Sequence, residues 1–159
     1  MGISHLGLVS PLSLAFRQLG EADLAILRGW FVDEELARRL SYPTDDWFTH
    51  VTGTGEARSW ICLSGNEPIA AIQVDGSADG SGHLAILMRP ELRGRGWGSS
   101  VLLAFLAGPG RAYQMLIGSI EPDNVASLAC CRRCGFVLST ELDEDGLIEA
   151  TYNPLDALP

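Results

Sequence analysis

The residues best placed to do chemistry lie between His83 and Leu106, in HLAILMRPELRGRGWGSSVLLAFL. Arg93, Gly94, Arg95, Gly96, Trp97 and Gly98 follow a short apolar run, Leu84–Met88, that is too short for a helix and reads as a buried strand. Ser99 and Ser100 then lead into a second apolar run, Val101 to Leu106, that can form a helix. A strand, a glycine-rich turn and a helix N-terminus together make an anion site: glycine lets the backbone turn and approach a ligand closely, and the first helical N–H groups are free to meet negative charge. The spacing narrows the choice of anion. No Lys-Ser/Thr pair follows Gly98, as a P-loop would need, and Gly94, Gly96 and Gly98 do not give the spacing of a dinucleotide fingerprint.

A second stretch, IEPDNVASLACCRRCGF over residues 120–136, places Asn124 after a predicted strand, Ser127 three residues on, then a helix and Gly135-Phe136. The Arg-x-x-Gly-x-Gly of Arg93, Gly96 and Gly98 and this later Asn…Gly-Phe, in that order, resemble the two cofactor motifs of the GNAT superfamily of acyl-CoA-dependent N-acetyltransferases. The likeness covers roughly residues 59–153 and is weaker before them.

The resemblance implies a fold, a co-substrate and roles. The fold is α/β (α+β): a central mixed, mostly antiparallel sheet with one splayed parallel strand pair, Leu84–Met88 and Met115–Ile120, flanked by helices. The co-substrate is acetyl-CoA, with no metal. Its pyrophosphate is expected on the backbone of Arg93, Gly94, Arg95, Gly96, Trp97 and Gly98 and on Ser99. The backbone of Leu87 and Met88 and the Asn124 side chain are expected beside the pantetheine arm. The sequence departs from many relatives at Cys131, where they carry a tyrosine that protonates the leaving thiolate; Cys131 is either that acid or a buried helical cysteine. His83, opening its strand, is a candidate general base, with a structural imidazole as the other reading. Glu121 is a second candidate, unless Glu121-Pro122-Asp123-Asn124 is only turn and N-cap chemistry.

Composition sets outer limits. The chain has 159 residues, enough for one domain (1–159) with a sizeable core. Eleven basic residues against twenty acidic ones give a net charge of −9, which argues against nucleic acid as a partner. No apolar run is long enough for a membrane span, and MGISHLGLVSPL resembles neither a signal peptide nor a myristoylation site. A cytoplasmic protein without membrane attachment is the expectation, and Cys62, Cys130, Cys131 and Cys134 are then small apolar residues rather than disulfides or a zinc site.

The elements that must position these residues are legible in outline. Residues 12–19 alternate as a first strand. Leu24, Leu27, Trp30 and Phe31 share one face of a helix, Leu36 and Leu40 that of a second ending before Pro43, and Asp45–Phe48 suits a third, capped by Thr44 or Asp45. Ser59–Leu63 and Ile69–Val74 form a hairpin, and 75–82 is a polar turn into the motif strand. After the motif helix, Gly108-Pro109-Gly110 is a stop; Met115–Ile120 is a strand, and 136–142 with 147–152 a closing hairpin. An open edge there makes a homodimer possible by analogy.

These readings converge on an N-acetyltransferase acting on a primary amine by direct attack in a ternary complex. Trp30, Phe31, Asp33, Glu34, Glu35, Asp45, Asp46, Trp47 and Phe48 mix aromatics with carboxylates, as a wall for a small cationic amine would; an ordinary amphipathic helix pair would look the same. The opening LAFRQLGEADLAILRGWF, residues 14–31, is similar to the start of aminoglycoside 6'-N-acetyltransferases and of enzymes that acetylate ribosomal-protein N-termini. The reading from another class is a non-catalytic acyl-CoA-binding or sensing module that keeps the cradle and has lost the acid at 131.

Overall fold

A computed structural model describes residues 13–155; Leu12 and the N-terminal segment searched for a leader lie outside the described residues. The strands are β1 (Leu14–Gln18), β2 (Ala57–Ser64), β3 (Glu67–Gly76), β4 (Ser81–Met88), β5 (Met115–Ile120), β6 (Val137–Leu138) and β7 (Ile148–Tyr152). The helices are α1 (Asp23–Trp30), α2 (Glu34–Arg39), α3 (Asp45–Thr52), α4 (Trp97–Ala107) and α5 (Val125–Arg133). The strands form one sheet in the order β1-β2-β3-β4-β5-β7-β6, in which only β4 and β5 are parallel. The mixed, mostly antiparallel sheet with one parallel pair is therefore as expected.

Alternation along the strands sorts residues onto two faces. Ile72, Val74, Val101, Phe105 and Leu116 belong to a core under α4 and α5, which Leu84, Ile86 and Met88 extend. Leu27, Trp30, Leu36, Val51, Ile61 and Ala71 form the opposite core under α1, α2 and α3, which Leu87 extends. Strand β4 thus sends alternate side chains to two separate layers. Helix starts follow side-chain caps: Asp33 accepts from Leu36 N–H at 3.0 Å, Thr44 from Trp47 N–H at 3.1 Å and Asn124 from Ser127 N–H at 3.3 Å.

Two segments differ from their expectation. The polar turn at 75–82 is shorter, because Asp75 and Gly76 extend β3 and pair with His83 and Gly82. The closing hairpin is also narrower than 136–142 with 147–152. Only Val137 and Leu138 pair, with Thr151 and Ala150. One residue on, the Ser139 hydroxyl accepts the Glu149 N–H at 3.0 Å and so occupies a donor that the strand ladder would use. Beyond it Asp143 accepts the N–H groups of Asp145 and Leu147, both at 2.9 Å, and folds the segment into a turn.

Candidate active site

The parallel pair is a fork. Pairing between β4 and β5 is confined to Ser81, Gly82 and His83 against Met115, Leu116 and Ile117. Both strands run on, β4 to Met88 and β5 to Ile120, held on their outer sides by β3 and β7. The inner edge of residues 84–88 therefore carries backbone groups with no strand partner, which an extended, amide-bearing ligand can satisfy.

At the open end of the fork the chain passes through the 3₁₀ turn Pro90–Leu92 into the glycine loop and α4. Gly94 and Gly96 take φ of +77° and +81°, a region other residues reach only under strain, while Gly98 is already helical. The first bond of the helix is Ser100 N–H to Gly96 O, at 3.3 Å. The N–H groups of Trp97, Gly98 and Ser99 thus lie free at the positive end of an eleven-residue helix. Among the described residues, those of Gly94, Arg95 and Gly96 have no backbone acceptor either. This arrangement fits a pyrophosphate. Arg95 is exposed, with no acidic partner among the described residues, whereas Arg93 is held by Asp33 at 2.7 Å.

Helix α5 packs beside this turn. A Cβ on Gly98 would meet Cys130 Sγ at 3.7 Å. The Ser99 hydroxyl, itself accepting from Arg133 at 2.6 Å, donates to Cys130 Sγ at 3.6 Å. Ser99 thus offers a ligand its backbone N–H, while its hydroxyl is turned toward α5. Cys130 is drawn below the ordinary thiol range, chiefly by the Cys134 thiol and then by the Ser99 hydroxyl and the Arg133 charge. Cys131 is pushed up to about 11 by burial and by the charge on Cys130. A thiol so raised is a poorer proton donor to a leaving thiolate than an ordinary one of pKa ~8.5.

The two candidate bases are placed differently. His83 occupies the last paired rung of the fork, opposite Asp75, with Nε2 3.1 Å from the Ser119 hydroxyl. Glu121 instead accepts from Arg39 at 2.9 Å, beside Asp123 on the same guanidinium at 2.7 Å.

On the other face of the fork lies a cavity of about 260 Å³. Phe31, Leu40, Pro43 and Trp47 form its walls, and Ser59, Gln73, Ala85 and Leu87 line the sheet side. It reaches the unpaired stretch of β4 directly. The Trp47 indole donates to Gln73 Oε1 at 2.7 Å, and Gln73 donates on to Asp75 at 2.9 Å. Among the described residues, Ser59, 3% exposed, has a hydroxyl with no partner, one of two such buried side-chain groups with Trp97 Nε1. Ser59 and Gln73 escaped the motif reading; the available signal was a polar residue at a core-facing place in the Ala57, Ser59, Ile61 alternation. A wider groove of about 560 Å³, lined by Trp30, Asp33, Pro90 and Glu91 among others, includes no residue of the forked strands.

With this geometry in view, comparison with known proteins is decisive for the family. Residues 13–137 match the model of the acetyltransferase (GNAT) domain. The chain belongs to this family. The GNAT domain is also 28% identical over 137 residues to an uncharacterized N-acetyltransferase, YfmK, of Bacillus subtilis strain 168, covering 84% of the chain and 92% of that relative. Among solved structures it is similar in fold to AAC(6')-Ib in complex with paromomycin and acetyl-CoA, with a TM-score of 0.75 at 18% identity over 90% of this chain and 94% of that one. Spermidine N-acetyltransferase from Vibrio cholerae, in complex with CoA and spermine, gives a TM-score of 0.75 at 14% identity over 89% and 96%. The GNAT domain is thus an acetyl-CoA-dependent N-acetyltransferase. Among its described residues, no group of three or more His, Cys, Asp or Glu could hold a metal, and no helix is long and apolar enough to cross a membrane.

Proposed function

We propose that this GNAT domain transfers the acetyl group of acetyl-CoA to a primary amine by direct attack in a ternary complex. The observation that carries this is the fork itself: an unpaired β4 edge that runs from a helix N-terminus with free N–H groups to a cavity on the opposite face. The backbone from Arg93 to Ser99 holds the pyrophosphate, with Arg95 adding charge, and the backbone of Leu87 and Met88 bonds the pantetheine arm. Asn124, whose carbonyl caps α5, lends its amide nitrogen to the same arm. Paromomycin and spermine, bound by the two neighbours, widen the acceptor classes to small cationic amines; a protein N-terminus is the other class that the sequence suggests.

In the transfer the amine nitrogen attacks the thioester carbonyl carbon. A C–N bond forms, the carbonyl oxygen gains negative charge that backbone N–H groups in the slot stabilise, and the C–S bond then breaks. The sulfur leaves as a thiolate and is protonated from water, since Cys131 is a poor donor. The amine attacks as the free base, and His83, at the crotch of the fork, takes the proton that its nitrogen must lose as the C–N bond forms.

The test is acetyl-CoA turnover, followed as thiol release, alongside calorimetric CoA binding. Gly96→Asp sets a carboxylate in the cradle and should weaken CoA binding at least tenfold; unchanged affinity would remove the cradle. His83→Gln should lower kcat at least tenfold while CoA affinity holds. An unchanged kcat would take the base role from His83.

A further inference from the structure

We propose that the acceptor taken by the cavity beneath β2, β3 and β4 is a compact primary amine, uncharged apart from the reacting nitrogen, that carries a hydroxyl bonded by Ser59. This narrows the acetyl-transfer reading above and rests on it. None of the residues lining the cavity is charged. Three of the carboxylates that would greet a polycation are engaged elsewhere: Asp33 holds Arg93, Glu35 holds Arg38 and Arg39, and Asp45 holds Arg28, while the exposed Glu34 and Asp46 do not line the cavity. A cation buried among Phe31, Leu40, Trp47 and Leu87 would lose its hydration with no countercharge in return.

The polar inventory of the cavity fixes the rest. Trp47 and Gln73 spend their groups on each other and on Asp75. Of the two serines that line it, Ser41 is exposed to solvent, whereas the Ser59 hydroxyl is buried to 97% on the sheet side, in the cross-strand row Ser59–Gln73–Ala85 that leads to the open edge of β4. A buried, unpartnered hydroxyl in such a place recognises one hydrogen-bonding group and rejects analogues that lack it. About 260 Å³ is also the room of about nine waters at ~30 Å³ each, less than most drug-sized sites. It admits a body the size of one amino-acid residue.

Serinamide, alaninamide, spermine and paromomycin separate these demands when offered at equal concentration with saturating acetyl-CoA. Serinamide should exceed spermine and paromomycin in kcat/KM by at least tenfold. Ser59→Ala should cost serinamide about tenfold, the worth of one hydrogen bond, while alaninamide turnover and CoA affinity stay unchanged. A second variant guards against misfolding at Ser59: Ala85 is exposed at the cavity, and Ala85→Asp should shift preference toward spermine. Preference of the unaltered protein for a polycation, equal loss for both amides in Ser59→Ala, no shift in Ala85→Asp, or bound CoA with neither amide acetylated would each overturn the assignment. Absence of CoA binding would instead overturn the transferase reading beneath it.

Discussion

One oxygen of Asp33 accepts both the Arg93 guanidinium, at 2.7 Å, and the Leu36 backbone N–H, at 3.0 Å. The first bond ties α2 to the glycine loop and the second caps α2. At the far end of the same short helix, Arg39 holds Glu121 and Asp123 of the turn after β5. Helix α2 is thus pinned to both arms of the fork.

Asparagine caps a helix as well as aspartate but cannot hold the guanidinium by charge. Asp33→Asn should leave Tm nearly unchanged and release Arg93 toward the pyrophosphate, tightening CoA binding about threefold at low salt and less at high salt. Asp33→Ala should lower Tm by a few degrees as well. Calorimetry at two salt concentrations decides: weaker CoA binding in Asp33→Asn would mean that Arg93 acts from its place on Asp33.

Asp23 gives a pH dependence with a defined sign. Buried to 97%, it accepts Arg17 at 2.7 and 2.9 Å and the Gly20 N–H at 2.8 Å. The hydrogen bonds from Arg17 hold its carboxyl below the usual range, helped by the Gly20 N–H and opposed by burial. The folded value lies below the unfolded one, about 3.9, so the stabilisation is complete above that pH and is lost as pH falls through the depressed value. At pH 7 Asp23→Asn should cost about 1–2 kcal/mol, discounted because Arg17 is half exposed to water. The gap in Tm between the two proteins should close below about pH 4; a constant gap would refute the linkage.

What could be read in the sequence was whatever is encoded locally. Apolar runs bounded by glycine and proline marked β4 and β5, and Thr44 and Asn124 marked helix starts. The glycine turn before α4 was legible because Gly94 and Gly96 are needed where they stand. The acceptor side was not, because it is assembled from residues far apart in the chain. Asp33 and Arg93 are 60 positions apart and Arg28 and Asp45 are 17 apart, so three of the carboxylates that read as a wall for cations, Asp33, Glu35 and Asp45, are ion-paired within the fold, while Glu34 and Asp46 stay exposed. Ser59 carries only the mark of a polar residue at a core-facing place in its strand, which gains meaning only once Phe31 and Trp47 close a cavity over it.

Gly82 sits on the middle rung of the fork, paired with Leu116. A Cβ there would overlap Val74 Cγ1 and press on Tyr113 Cδ1 at 3.0 Å, and Val74 is fully buried. Gly82→Ala should therefore cost about 1–3 kcal/mol by overpacking and weaken CoA binding by disturbing the crotch. Gly96→Ala is a control, with positive φ but no atom near its Cβ. Its cost is conformational only, about 1 kcal/mol. Equal losses of Tm in the two would mean that the fork can shift to make room.

Cys130, Cys131 and Cys62 should differ in reactivity. Cys130 is favoured as thiolate by Cys134, by the Ser99 hydroxyl and by the Arg133 charge, whereas burial pushes Cys131 up to about 11 and Cys62 up to about 12. At pH 7 iodoacetamide should alkylate Cys130 first, as read by peptide mass mapping. The adduct grows beside Gly98, whose Cβ position is 3.7 Å from the sulfur, so it should displace the first turn of α4 and weaken CoA binding. Bound CoA should in turn slow the alkylation. Cys131→Ala should keep kcat within about twofold, because a thiol raised by burial contributes little as an acid. If Cys131 reacts first, or if its removal costs tenfold or more in kcat while CoA affinity holds, the proton to the leaving thiolate comes from Cys131 and not from water.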